Sequence, residues 1–248
     1  MSTPGDDSTI HVILLDIEGT TTPVDFVYKT LFPYASQNVE RFLREPSRDP
    51  DIRLLVEDLY AQHQRDDDAG AHPPPWNADT QESQLHSGAE YVRWLIAADS
   101  KITPLKTLQG KIWQQGYARG ELHGEVYADV PPALARWRSQ GREVCIYSSG
   151  SVLAQQLLFR STLAGDLTKF ISRHFDTAIG AKTESDSYRK IAESLGRAPG
   201  EVLFISDSIK EIDAARMASM PGLLCMRGPL ATQNTIKLIR TLDEVFPD

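Results

Sequence analysis

Short apolar runs that end abruptly in polar residues recur in this 248-residue chain. Residues 11–15 lead into Asp16, residues 143–147 into a serine-rich turn, and residues 201–205 into a serine and Asp207. Such runs are typical of parallel strands covered by helices on both faces. Because ligands of open α/β sheets bind beyond the carboxyl ends of the strands, the polar endings predict a ligand site there.

Between the first two strands, from about Pro23 to Glu125, helical spacing replaces the strand pattern. Apolar residues recur three and four positions apart in three segments: Tyr34, Val39, Phe42 and Leu43; Ile52, Leu55, Val56 and Leu59; Leu85, Ala89, Val92, Leu95 and Ile96. A fourth helix is predicted from Thr103, as a hydroxyl N-cap, toward Tyr117. The polar segment 65–75 predicts a mobile, solvated connection.

The remaining elements complete an α/β pattern. We expect a strand near Val126, helices over 132–140 and 152–159, and a final strand over 223–227. The predicted fold is a Rossmann-like parallel sheet covered by helices on both faces, with an inserted all-helical cap domain. The predicted division is a disordered leader at 1–10, an α/β core at 11–23 and 126–248, and a helical cap at 24–125.

Composition narrows the class of partner. The formal charge is -8 and the basic residues are scattered, so we expect no nucleic-acid partner. Neither a spanning apolar stretch nor a secretory signal is present in the sequence, which predicts a cytoplasmic protein without membrane contact. Cys145 and Cys225 fall in apolar runs and are expected to be reduced core residues. We expect a monomer.

The segment after the first strand carries the densest candidate chemistry. Asp16 and Glu18 are followed by Gly19, which allows a sharp turn, and by the hydroxyls of Thr20 and Thr21. Hydroxyls and free amides at such a turn can bind an anion. The alternative is an acidic helix cap after a strand.

Two further motifs match this pattern. Ser148 and Ser149 end the second strand before a helix, and hydroxyls with helix-start amides form an anion site. The alternative is simple N-capping by Ser149 or Ser151. Lys182 lies between the second and third of these strands, and a lone lysine is more often a solvated side chain. Asp207 ends the third strand.

The order Asp16, Ser148, Lys182, Asp207 resembles that of the haloacid dehalogenase-like superfamily of phosphotransferases. The resemblance implies that Asp16 attacks phosphorus and forms an aspartyl-phosphate. It further implies that the hydroxyls of Ser148 and Ser149 bind the phosphoryl group, that Lys182 neutralises it, and that Asp207 holds magnesium.

The physical chemistry of phosphoryl transfer agrees with these roles. Negative charge spreads over the equatorial oxygens in the transition state, so catalysis is mainly positioning and electrostatic stabilisation. Two carboxylates aimed at a phosphate would repel it, whereas Mg²⁺ between them removes the repulsion. The expected shell is Asp16, Asp207 and the Glu18 region with its backbone carbonyl, holding one Mg²⁺ per subunit, and Lys182 supplies positive charge opposite.

One branch of the superfamily is similar in more detail. Most members carry a second Asp as the acid–base group where this chain has Glu18, and residues 14–23 resemble the enolase-phosphatases, or acireductone synthases, of methionine salvage. Further similar segments are 105–113, 146–151, 174–177 and 184–190. The resemblance implies that 2,3-diketo-5-methylthiopentyl-1-phosphate is enolised and then hydrolysed to phosphate and the acireductone 1,2-dihydroxy-5-methylthiopent-1-en-3-one.

Three alternative functions compete with this one. A dehalogenase would attack carbon and would need neither Glu18 nor Asp207. A magnesium-dependent phosphatase for another small ester shares the fold and all four motifs, because fold alone does not fix the substrate. A catalytically inactive binding module would be expected to have lost Asp16, Lys182 or Asp207.

The cap offers one candidate group for substrate contact. Lys101, Lys106, Gln109 and Trp113 cluster near one helix start and could hold the diketone chain. The alternative is that Trp113 belongs to the cap core and the lysines are solvated.

Overall fold

A computed structural model describes residues 9–45, 50–228 and 237–247. It forms two compact units, one made of residues 1–26 and 123–248 and the other of residues 27–122. The predicted disordered leader lies almost entirely outside the described residues, and the predicted domain boundaries at 23/24 and 125/126 stay a prediction.

The described residues contain one parallel sheet, which confirms the predicted α/β fold. Its strands are β1 (Val12–Leu15), β2 (Glu143–Tyr147), β3 (Arg173–Phe175), β4 (Val202–Ser206), β5 (Gly222–Cys225) and β6 (Leu238–Ile239). Their spatial order is β3-β2-β1-β4-β5-β6. Leu15 lies opposite Ile146 on one side and Ile205 on the other. The ends of β2 and β4 therefore flank the end of β1.

Helices account for most of the other described residues. In chain order they are α1 (Val24–Phe26), α2 (Phe32–Arg44), α3 (Pro50–Asp68), α4 (Gln81–Ala97), α5 (Thr103–Ala118), α6 (Val130–Ser139), α7 (Val152–Arg160), α8 (Ser185–Ser194) and α9 (Ile209–Met217). A π-helical turn, Val27–Leu31, precedes α2. The described part of 27–122 is helical and contains no strand.

Three local expectations were wrong, and two short strands were missed. Val126 forms no strand, and the nearby pairing is an isolated bridge from Gly124 to Thr162. Helix α3 continues through Asp68, so the acidic run is helical, and the Gln62 side-chain amide donates to Asp66 Oδ1 one turn on at 2.7 Å. Helix α5 includes Thr103, and its N-cap is Ile102. The short strands β3 and β6 were not predicted, since runs of three and two residues carry no detectable alternation.

The apolar residues of the strands are buried as the sequence predicts. All four residues of β1 are fully buried, which agrees with helices covering both faces. Cys145 and Cys225 are free thiols inside this core, as expected. No helix in the described ranges has the length and apolar character that crossing a membrane requires.

Candidate active site

Asp16 is the first residue beyond β1 and is only 4% exposed. A tight turn follows it, in which the amides of Thr20, Thr21 and Thr22 all donate to the Ile17 carbonyl. The Ile17 amide donates to Asp16 Oδ1 at 2.7 Å. The turn thus fixes one carboxylate oxygen from the chain's own backbone.

Lys182 reaches Asp16 from a loop before α8. Its Nζ lies 2.5 Å from Asp16 Oδ1 and 2.7 Å from Glu211 Oε2, and its side chain is 10% exposed. Burial alone would lower the pKa of Lys182, but the two carboxylates outweigh burial and raise it. The ammonium is therefore charged at neutral pH, and the solvated-lysine alternative does not apply.

Two tyrosines hold the lysine loop in place. The Tyr188 hydroxyl donates to the Lys182 carbonyl at 2.6 Å, and the Tyr147 hydroxyl donates to the Gly180 carbonyl at 2.9 Å. Tyr188 packs edge-on against Tyr147 and Phe204. Because these rings are fully buried, the position of Lys182 is tied to the sheet core.

Ser206 and Glu211 complete the surroundings of Asp16, and sequence reasoning assigned neither of them a role. Ser206 Oγ lies 3.1 Å from Asp16 Oδ2 and 2.9 Å from Glu211 Oε2, so its single proton serves one carboxylate at a time. Burial and the charge of Asp16 raise the pKa of Glu211. Its position was an available signal, because Glu211 lies in the first turn of α9, the helix that begins just after Asp207.

Asp207 is the first residue beyond β4 and is exposed to solvent, although its carboxylate lies close to the Asp16 turn. Its carboxylate packs against Gly19, where φ is +73° and where a Cβ atom would overlap Oδ2. Burial of the carboxylate, with repulsion from Asp16 and Glu211, raises the pKa of Asp207 to about 7. Glu18 adds to this repulsion, so it lies in the same electrostatic neighbourhood.

Ser148 and Ser149 follow β2, the strand beside β1. Ser148 is buried and its Oγ accepts from the Gly150 amide at 3.1 Å. The N-cap of α7 is Ser151, whose Oγ accepts from the Ala154 amide at 3.3 Å, so the capping alternative holds for Ser151 and not for Ser149. Ser148 and Ser149 thus lie one strand away from Asp16, at the same edge of the sheet.

The site carries more negative than positive charge. Asp16 and Glu211 pair with the Lys182 ammonium, and Asp207 lies within electrostatic reach of Asp16, Glu18, Glu211 and Lys182. In the described part of the chain, no three Asp, Glu, His or Cys side chains enclose a cation by themselves. Magnesium needs only one or two protein carboxylates and completes its shell with water and phosphate, so these residues fit that ion.

Two orphaned hydroxyls lie in the same turn. Thr20 Oγ1 and Thr22 Oγ1 are buried and have no hydrogen-bond partner. Buried polar atoms without partners are rare in native proteins and are commonly satisfied by water or a ligand. These two hydroxyls of the turn after Asp16 can therefore still bind water or a ligand.

Comparisons with known proteins agree with this geometry. Residues 10–219 match the haloacid dehalogenase-like hydrolase family. Enolase-phosphatase E1 of Synechococcus elongatus is 47% identical over 226 residues, covering 90% of this chain and 91% of that protein. Enolase-phosphatase E1 of Drosophila melanogaster is 48% identical over 217 residues, covering 87% of this chain and 83% of that protein.

A solved structure extends the similarity to three dimensions. The UTR4 protein (Unknown transcript 4 protein) of Saccharomyces cerevisiae is 31% identical, with a TM-score of 0.76, covering 94% of this chain and 98% of that chain. Sequence and fold thus agree over nearly the whole length. The chain belongs to the haloacid dehalogenase-like hydrolases and, within them, to the enolase-phosphatase E1 family.

Proposed function

We propose that this protein is a bifunctional enolase and phosphatase of methionine salvage. Its substrate is 2,3-diketo-5-methylthiopentyl-1-phosphate, and its products are the acireductone and inorganic phosphate. Relatives named enolase-phosphatase at 47% and 48% identity support this function. The observation that carries the chemistry is the buried Asp16 carboxylate beside the Lys182 ammonium, at the end of the central strand β1.

The first half of the hydrolytic reaction belongs to Asp16. An Asp16 oxygen attacks phosphorus, and the bond from phosphorus to the substrate oxygen breaks as the aspartyl-phosphate forms. Glu18 gives a proton to the departing oxygen. Lys182 neutralises the phosphoryl oxygens, and the hydroxyls of Ser148 and Ser149 bind them.

The second half regenerates the enzyme. Glu18, now ionised, takes a proton from water as that water attacks the phosphorus of the aspartyl-phosphate. The bond from phosphorus to Asp16 breaks, which releases inorganic phosphate and restores the carboxylate. One group can thus serve as acid and then as base because the two proton transfers run in opposite directions.

The Asp16 and Asp207 carboxylates and the backbone carbonyl at Glu18 are the groups proposed to hold one Mg²⁺ per chain, so the Glu18 carboxylate keeps its role in proton transfer. When bound, the ion offsets the negative charge of the carboxylates and of the substrate phosphate. The raised pKa of Asp207, about 7, supports this assignment, because burial of the carboxylate and then repulsion from Asp16 and Glu211 disfavour its charge, and a bound cation would offset both. We also propose that the active form is a monomer.

Enolisation requires removal of a proton from C1 before hydrolysis. Glu18 is the acidic residue nearest in sequence to the nucleophile, and its charge reaches Asp207. We assign the C1 proton transfer to Glu18 as well. It takes the proton from C1 and returns it to the C2 carbonyl oxygen, which forms the enol. Protonated again from solvent, the same side chain then serves both proton transfers of hydrolysis.

The reaction assignment is tested by incubating the purified protein with the diketone phosphate and Mg²⁺. Enol absorbance and phosphate release are followed together. We expect the enol signal to appear and phosphate to be released in equal amount. Phosphate release from other small esters, with neither signal from the diketone phosphate, would identify a phosphatase of different specificity.

The residue roles are tested with Asp16→Asn and Glu18→Gln. Asp16→Asn should lose phosphate release by several orders of magnitude, because an amide is a poor nucleophile, yet should still exchange the C1 proton. Glu18→Gln should impair both steps. Deuterium incorporation at C1 is measured beside phosphate release, with the exposed Asp213→Asn on α9 as the control. Normal exchange in Glu18→Gln would assign the enolisation base elsewhere.

A further inference from the structure

Arg227 lies two residues beyond β5, with its guanidinium turned toward the nucleophile turn. Its side chain is 11% exposed. Nε and Nη2 donate to the Thr20 carbonyl at 3.0 and 2.6 Å, and Nη1 donates to Asp129 Oδ2 at 2.6 Å. One buried guanidinium therefore donates two hydrogen bonds to a single carbonyl of the turn that follows Asp16.

The partners of Arg227 are themselves anchored. The Asp129 side chain is 9% exposed, and its Oδ2 also accepts from the Leu242 amide at 2.6 Å. The guanidinium stacks over the Tyr127 ring at 4.3 Å, and the Tyr127 amide donates to the Thr21 carbonyl at 3.0 Å. The carbonyls of Thr20 and Thr21, which are adjacent in the turn, thus both accept hydrogen bonds from this group of residues.

Fold stability alone is a weak reason for such an arrangement. A buried ion pair commonly contributes little net stability, because desolvation of both charges offsets their attraction. The Arg227 contacts instead go to the turn of residues 17–22, which carries Glu18 and packs Gly19 against Asp207. A small shift of the backbone in this turn would therefore move the Glu18 carboxylate.

Charge-assisted hydrogen bonds also stiffen the turn internally. Two guanidinium N–H groups on the Thr20 carbonyl polarise its peptide group, which makes the Thr21 amide of that same peptide a stronger donor. The Thr21 amide donates to the Ile17 carbonyl at 2.9 Å. Arg227 thereby reinforces the hydrogen bond that closes the turn around Glu18.

We propose that Arg227, supported by Asp129, is a positioning residue that sets Glu18 for proton transfer to the leaving oxygen. This inference rests on the proposed role of Glu18. Arg227 touches neither the substrate nor the reacting atoms in this assignment. It acts only through the Thr20 carbonyl and the turn.

Two phosphate esters that differ in leaving group test the proposal. p-Nitrophenyl phosphate leaves without much help from an acid, whereas p-nitrobenzyl phosphate has the same ring but an alkoxide leaving group that needs protonation. For Arg227→Ala we expect kcat/KM to fall about 100-fold on the benzyl ester, the usual scale of general acid catalysis, and less than about 3-fold on the phenyl ester.

Arg136 provides a matched control. Its side chain is 12% exposed, and its guanidinium donates to the carbonyls of Phe246, Leu242 and Val245, away from the nucleophile turn. Arg136→Ala should lower the Tm and leave the ratio of the two esters unchanged. Equal losses on both esters in Arg227→Ala would overturn the proposal and make Arg227 a structural residue.

Two further measurements keep the test decisive. Arg227→Lys keeps the charge but loses the two-pronged contact, so it should shift the ester ratio in the same direction by about 10-fold. Added guanidinium ion should restore benzyl ester turnover in Arg227→Ala and should have no effect on Arg136→Ala. The proposal is contradicted if Arg227→Lys leaves the ester ratio unchanged and guanidinium fails to restore Arg227→Ala. The diketone phosphate, assayed with the unmodified protein, tests the proposed function separately.

Discussion

At the residue scale, the Lys182 ammonium lies between the buried Asp16 carboxylate and the half-buried Glu211 carboxylate, and the Asp207 carboxylate lies nearby. Carboxylates held close together repel one another, so the excess negative charge favours binding of either a proton or a cation. The Asp207 pKa of about 7 indicates that without a cation the proton is retained up to neutral pH. Substrate phosphate would add further negative charge to this edge.

Gly19→Ala tests the contact between the nucleophile turn and Asp207. A methyl group at position 19 overlaps Asp207 Oδ2, so the carboxylate must move, and we expect the Mg²⁺ concentration for half activity to rise about 10-fold. Gly141→Ala is the control, because its φ of +78° gives similar strain with open space around it. Both variants should lose about 1 kcal/mol of stability. An unchanged Mg²⁺ requirement in Gly19→Ala would contradict the contact.

At the element scale, the four cap candidates for substrate contact differ in their exposure on and near helix α5. Gln109 and Trp113 are buried, at 5% and 7% exposure, and the Trp113 indole donates to the Leu31 carbonyl at 2.9 Å. Lys101 is exposed and pairs with Asp99 at 2.6 Å, so its ammonium is partly neutralised. The structural alternative therefore holds for Trp113, and Lys106 stays a candidate for substrate contact.

Trp113→Ala and Lys106→Ala should consequently behave differently. Loss of a buried tryptophan should cost about 3–5 kcal/mol of folding stability and should reduce turnover of the diketone phosphate and of p-nitrophenyl phosphate alike. Lys106→Ala should harm the diketone phosphate more, because binding energy from a remote part of a substrate is lost only where that part exists. Thermal unfolding and kcat/KM for both esters are measured. Equal effects in Lys106→Ala would mark this lysine as solvated.

At the scale of the whole molecule, the acidic edge of the sheet links metal binding to folding. The pKa of Asp207 is raised in the folded state, so folding retains its proton at a pH where the unfolded chain has lost it. Stability should therefore fall as pH rises from about 4, the ordinary pKa, to about 7. A bound cation reverses this effect because it favours the ionised carboxylate.

Thermal unfolding at pH 8 checks this linkage without an activity measurement. Mg²⁺ at about 100 times its Kd should stabilise the protein by about 2.7 kcal/mol, a shift of about 5–10 °C in Tm. Asp207→Asn should gain little stability from Mg²⁺. In chelator, this variant should be more stable than the unsubstituted protein at pH 8 but not at pH 4. Asp213→Asn is the control. A full Mg²⁺ shift in Asp207→Asn would exclude Asp207 as a ligand.

The sequence by itself determined the secondary-structure elements whose pattern depends on residues close together along the chain. Apolar runs ending in polar residues predicted β1, β2 and β4, and helical spacing predicted α2 to α5, because burial imposes these periods locally. Asp16 and Lys182 were singled out by their order along the chain, and the structure joins them at 2.5 Å.

Only the tertiary structure decided which distant segments meet. Strand order placed β4 beside β1, which brought Ser206 and Glu211 to Asp16 across about 190 residues of chain. The same sheet brought Arg227 to the Thr20 carbonyl. Parallel pairing is nonlocal, since its hydrogen bonds join residues whose separation leaves no periodic trace in the sequence. The short β6 and the unpaired Val126 segment were likewise settled by available partners rather than by local pattern.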